Sequence, residues 1–254
     1  MPATLWVLLA LAIVIEAFAE GAQADELPVD LELVLAVDVS ASMRPGEQRL
    51  QRLGYAAAFR SQAVIDAIHV GHFGKIAVTY VEWADPDHQR IVIPWTLVDG
   101  TISAERVAIA LSDAPTSTGH STSISQALRF STALFANNGY RGTRLAIDIS
   151  GDGPNNVKPS LPLARAEALA GGITINGLPI MLAPRSMTEA TSLADLDLYY
   201  RECVIGGAGA FMIVVKRSVN FAQAIEKKML LEILADQLNE MIPITNTLSD
   251  CESP

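Results

Sequence analysis

The sequence predicts an α/β fold: a doubly wound, mostly parallel central sheet with one antiparallel edge strand and helices on both faces. Three observations lead there. Apolar, β-branched runs alternate with segments of helical periodicity, the pattern of crossovers that cover both faces of a parallel sheet. One tight turn, Asp85-Pro86-Asp87, joins two such runs with no helix between them and predicts a hairpin. Half of the 254 residues are hydrophobic and only 18% are charged, enough for one full core and too apolar for disorder.

In chain order, residues 1–24 stand apart. Residues 5–15 are an uninterrupted apolar run, well short of the ~20 residues that span a bilayer. Ala22-Gln23-Ala24 offers a small-x-small cleavage site before Asp25, with Ala19 as a second possibility. The expectation is a cleaved secretory signal, although no Lys or Arg precedes the apolar run. Residues 25–30 read as an acidic linker and 31–240 as one domain, followed by a tail over 241–254.

Within the domain, residues 31–37 form a buried strand and Pro45 opens a helix over 46–68, with Leu50, Leu53, Ala57, Val64 and Ile68 near helical spacing. Strands follow over 75–83 and 90–95, then a helix over 103–111 capped by Ser103 and another over 123–136 stopped by Asn137-Asn138-Gly139. A strand over 144–149 leads into a loop over 150–156, a helix over 161–170 ends at Gly171-Gly172, and a strand covers 173–180. The remainder reads as a helix over 193–202, a strand over 211–216 and a long helix over 219–238.

The net charge of -10 and pI near 4.8 give no electrostatic reason to bind nucleic acid or anionic lipid. Once the signal is removed, no stable membrane span is expected. The two cysteines, Cys203 and Cys251, suggest a disulfide tying the tail to the body in an exported chain, with two buried thiols as the alternative. Neither a Cys-x-x-Cys pair nor a Cys/His cluster occurs, which argues against zinc.

In sheets of this class ligands lie beyond the carboxyl ends of the strands. Asp38, Ser40 and Ser42 follow the first strand, Thr122 precedes a helix, and Asp152 follows the fourth strand. These side chains are all oxygen donors and suit a hard divalent cation, Mg²⁺ first, with Mn²⁺ or Ca²⁺ also accepted. Each has a plainer reading: Asp38 and Thr122 as helix caps, Asp152-Gly153 as a turn. Asp148 rivals Asp152 by position but falls inside the strand pattern. Trp83, Trp95, Tyr199 and Tyr200 read as packing residues.

The pattern Asp38-x-Ser40-x-Ser42 after a buried strand resembles the von Willebrand factor type A domain, where it forms the metal-ion-dependent adhesion site (MIDAS). Thr122-Ser123-Ile124-Ser125-Gln126-Ala127-Leu128 resembles the family's threonine motif. Ser150-Gly151-Asp152-Gly153 stands where Thr-Asp-Gly is commoner. The stretch Tyr199-Tyr200-Arg201-Glu202-Cys203-Val204-Ile205-Gly206-Gly207 is similar to a group of uncharacterised bacterial secreted proteins built on this fold. The resemblance implies a periplasmic or secreted, non-enzymatic binding module. Its metal would be held by Asp38, Ser40, Ser42, Thr122 and Asp152, with one position open to an exposed Asp or Glu of a partner protein. Two alternatives stay open: a metal-dependent hydrolase with Asp38 as nucleophile, and a metal-free scaffold. The hydrolase reading lacks a second acid at position 40. Neither Gly-x-Ser-x-Gly nor a Gly-x-Gly-x-x-Gly after the first strand occurs.

Overall fold

Residues 31–37 are buried on both faces, as the centre of a parallel sheet requires. They lie within β1, Leu27–Asp38, which pairs in parallel with β2, Ile76–Trp83, on one side and with β4, Tyr140–Gly151, on the other. The computed structural model describes residues 26–182, 195–238 and 251. The signal reading of residues 1–24 lies outside these, as does the tail reading apart from Cys251.

The sheet runs β3-β2-β1-β4-β5. β3, Gln89–Val98, is the antiparallel edge, and β5, Ile173–Pro179, is parallel to β4. The expected doubly wound sheet with one antiparallel edge strand is therefore present. Pro94 sits on that edge strand, where a missing N–H is tolerated. The chain builds outward through β2 and β3, then crosses to the far side for β4, so the order reverses between β1 and β4.

Alternation along β1 divides the core in two. Leu31, Leu33, Leu35 and Val37 join one cluster with α1 (Pro45–Arg60), α2 (Gln62–Val70), α3 (Thr101–Asp113) and α7 (Phe221–Leu238). Val34 and Ala36 join the other, with α4 (Ile124–Ala133), α5 (Leu161–Ala170) and α6 (Leu196–Tyr199), which continues as a π-turn, Tyr200–Val204.

Several boundaries differ from the sequence reading. The helix expected over 46–68 breaks at Ser61, whose backbone is extended (φ -69°, ψ 127°) and whose hydroxyl donates to Glu226 on α7 at 2.5 Å. Ser103 lies inside α3 rather than capping it. Its hydroxyl donates back to the Asp99 carboxylate at 2.7 Å and accepts the Asp99 N–H at 3.0 Å. β4 extends through Gly151, so Asp152 is the first residue beyond it.

The strand expected over 211–216 is reduced to isolated bridges beside β5, Gly177 with Met212 and Ile180 with Val215. Gly177 donates to Phe211 O, Ile213 to Gly177 O and Val215 to Pro179 O. The next donor in that alternation is residue 179, a proline without an N–H, and the ladder is interrupted there.

α7 is fastened by buried charge. Lys228 Nζ lies 3.1 Å from Asp148 Oδ1 on β4 and 2.8 Å from Glu232 Oε1, and none of the three is more than 1% exposed. Tyr55 donates to Asp148 at 3.1 Å and Asn176 donates to Glu232 at 2.7 Å. Burial alone would lower the Lys228 pKa; Asp148 and Glu232 reverse this and hold it raised. Lys228→Met would leave two like charges buried together. It should cost about 3–5 kcal/mol of stability, read from urea unfolding at neutral pH.

Candidate metal centre

Asp38 closes β1 and is fully buried. Its Oδ1 accepts the Ser40 N–H at 2.7 Å, which turns the chain sharply and brings both serines back over the sheet rim. Ser40 Oγ lies 3.1 Å from Ser42 Oγ, and Ser42 Oγ donates to Asp152 Oδ1 at 2.5 Å. The register sets Val37 opposite Ser150, so the residues that end β1 and follow β4 are neighbours across the rim. Side chains 110 positions apart in the chain thus share one hydrogen bond.

Thr122 arrives on a third segment held from several sides. Arg52 binds Ala114 O and the Glu82 carboxylate, and Ser117 donates to Glu82 at 2.7 Å. Gly119 N–H donates to Val39 O at 2.9 Å, just past Asp38. Asp85 accepts the N–H groups of His120 and Ser121 at 2.8 and 2.7 Å, and the Ser121 hydroxyl at 2.5 Å. The Ser121 hydroxyl foremost, then the two amides, draw the Asp85 carboxyl down to about 2. Thr122 and Asn156 exchange hydrogen bonds: Thr122 N–H donates to the Asn156 side-chain Oδ1 at 2.9 Å and Asn156 N–H donates to Thr122 O at 3.0 Å. A Cβ built on Gly153 would stand 4.0 Å from Thr122 Oγ1, so the threonine hydroxyl faces the Asp152 loop. All five residues singled out in the sequence come to one end of the sheet.

The plainer capping roles are filled by other groups. Arg44 N–H at the start of α1 donates to Glu47 at 3.0 Å. At the start of α4, Ser125 N–H donates to Asn155 Oδ1 at 3.0 Å, from a different loop. Asp148 is not at the rim. It lies opposite Leu35, in the interior with Tyr55 and Lys228. Sequence reasoning took Asp85 as a turn residue and passed over Asn155 and Asn156. Their roles depend on amide and carboxylate contacts across loops, for which the chain carries no spacing signal.

The site suits a cation. Asp38 Oδ2 is buried and has no hydrogen-bond partner among the described residues. Burial, then the neighbouring Asp152 charge, pushes the Asp38 carboxyl up to about 8. A carboxylate in that position needs a positive charge or a proton. The nearby donors are carboxylate and hydroxyl oxygens. No group of three or more His, Cys, Asp or Glu side chains that could hold a metal occurs among the described residues. Such a donor set fits a hard divalent ion that keeps part of its water shell. Among the described residues no helix is long and apolar enough to cross a membrane. Cys203 and Cys251 form a disulfide.

A family model described as "Protein of unknown function (DUF1194)" matches residues 28–237. No curated protein matches significantly. Among solved structures, the chain is similar to proximal thread matrix protein 1 from the mussel byssus with a zinc-occupied MIDAS motif. That match has 13% identity and a TM-score of 0.53, covering 81% of this chain and 46% of that one. It is similar to the pilus adhesin SpaC from Lactobacillus rhamnosus GG, at 12% identity and TM-score 0.58, covering 82% and 31%. It is also similar to a von Willebrand factor type A protein from Catenulispora acidiphila, at 16% identity and TM-score 0.51, covering 81% and 43%. The chain spans less than half the length of each. At these identities the likeness is one of fold, and the fold is the von Willebrand factor type A fold.

The raised Asp38 carboxyl sets a pH dependence for the metal-free protein. Its folded value of about 8 exceeds the ordinary 3.8, so the stability tied to its protonated form is complete below pH 3.8 and is lost as pH rises through about 8. The melting temperature in chelator should carry a falling component across that window. Asp38→Asn should flatten that component, and an unaltered slope in the variant would refute the assignment.

Proposed function

Since this chain belongs to the DUF1194 family and carries a von Willebrand factor type A fold, we propose that its sheet rim is a non-enzymatic, metal-dependent protein-binding site. The observation that carries the reading is the buried, unpartnered Oδ2 of Asp38 beside hydroxyl and carboxylate donors from three separate segments. Asp38, Ser40, Ser42, Thr122 and Asp152 would hold the ion, directly or through water. When bound, the metal supplies an electrophilic centre that takes a carboxylate oxygen.

The chain's own residues divide the work. Asp38 and Asp152 balance the charge, and the three hydroxyls add donors without adding charge. Asp85, Asn155 and Asn156 keep the Thr122 loop and the Asp152 loop in register. Mg²⁺ is the first expectation, with Mn²⁺ and Ca²⁺ accepted; zinc joins the test because the mussel protein's motif holds it. The partner is a protein presenting an exposed Asp or Glu. The disulfide, together with the adhesin likeness, supports a location outside the cytoplasm, periplasmic or secreted.

Calorimetric titration of the oxidised protein with each cation should show one site. Asp38→Ala and Asp152→Ala should each weaken it by at least about 10-fold with the far-ultraviolet circular dichroism retained. Partner capture from an envelope extract should require cation and be reversed by chelator. Turnover of a phosphate ester by the loaded protein, lost in Asp38→Ala, would replace this reading with a hydrolase. A wild type that binds none of the four cations would replace it with a scaffold.

A further inference from the structure

The stretch Tyr199-Tyr200-Arg201-Glu202-Cys203-Val204 leaves α6 as a π-turn, closed by Ile205 N–H donating to Tyr200 O at 2.9 Å. Such turns recur at functional sites because they redirect a side chain that a regular helix would send elsewhere. Here the turn buries Tyr200 completely. Its ring lies against β5 where residue 177 is glycine: a Cβ there would stand 2.9 Å from Tyr200 Cδ1. The phenol oxygen has no hydrogen-bond partner among the described residues, although a buried tyrosine hydroxyl ordinarily donates to one.

The acceptor is at hand. A Cβ on Gly151 would stand 2.9 Å from Tyr200 Oη and 2.9 Å from Asp38 Oδ2. Two buried oxygens without hydrogen-bond partners among the described residues, one a donor and one an acceptor, therefore border the same small space beside Gly151. Their separation is at most about 6 Å, within the reach of a single bridging water. It also explains why the residue before Asp152 is glycine, since any side chain would fill the space between them. The neighbouring Tyr199 serves the opposite wall: its hydroxyl accepts the Asn155 N–H at 3.2 Å, on the loop whose Asn156 holds Thr122.

We propose that Tyr200 is a positioning residue of the metal centre, its hydroxyl donating toward Asp38 Oδ2 across one bridging water and orienting that carboxylate toward the cation. The inference rests on the metal-binding reading above and extends it to the Tyr199–Val204 turn. From sequence, Tyr199 and Tyr200 read as packing residues and residues 193–202 as a regular helix.

The test uses Tyr200→Phe, which keeps the ring and removes only the hydroxyl. Affinity for Mg²⁺ and Mn²⁺ by calorimetry should fall about 10–100-fold. In chelator, melting temperatures of the wild type, Tyr200→Phe, Asp38→Asn and the double variant should be non-additive, because the bridge couples the two groups. Additive shifts, or unchanged affinity in Tyr200→Phe beside a cation-responsive wild type, overturn the inference and leave the metal reading standing. A wild type that binds no cation removes the metal reading and the role of Tyr200 in it. The four-variant cycle then reports separately on the bridge itself.

Discussion

The parallel register of β1 against β4 is the constraint from which the rim follows. With Val37 opposite Ser150, Asp38 falls beside Gly151 and Asp152 is one residue further on. A slip of one residue would turn every side chain of β4 to the other face. Register is protected by the buried alternation itself: Ile147 and Ile149 belong to one cluster and Ala146 to the other. The geometry of the polar site is therefore inherited from the packing of apolar residues well below it.

The same strand pair contains an instructive contrast. Asp148 and Asp38 are both fully buried carboxylates on adjacent strands. Asp148 is answered within the chain by the ammonium of Lys228 and the phenol of Tyr55. Asp38 is met by neutral donors, among them the Ser40 amide on Oδ1, and no salt bridge to it occurs among the described residues. Buried charge is costly wherever it lies. The interior carboxylate is a structural fastening between β4 and α7, whereas the rim carboxylate would be balanced by the proposed cation.

Much of this was legible in the sequence, for physical reasons. The central strand reads clearly because burial on both faces forces an unbroken apolar run. Asp38, Ser40, Ser42 and Asp152 stand out because they follow such runs at short spacing, whereas Thr122 stands out through its resemblance to the family's threonine motif. What stayed hidden depends on contacts between segments with no common period. Asp85 looks like any turn aspartate until His120 and Ser121 fold back onto it. Ser61 gave no warning that α1 and α2 would separate, since the apolar spacing continues across the break. The sixth strand failed at Pro179, a residue on its neighbour rather than in its own segment. Tyr200 looked like a core aromatic because most of its surface is one; only the position of its oxygen sets it apart.

The bridge between Cys203 and Cys251 closes a span of 48 residues, and α7 lies wholly inside that span. In the chain-entropy view a ring of this size restricts the unfolded chain by about 4 kcal/mol at 25 °C. The same ring begins three residues after Tyr200 in the turn behind Asp38. This helix is thus a captive segment, joined covalently to the polypeptide that backs the rim. A single backbone cut between the two cysteines would leave both fragments attached to one another.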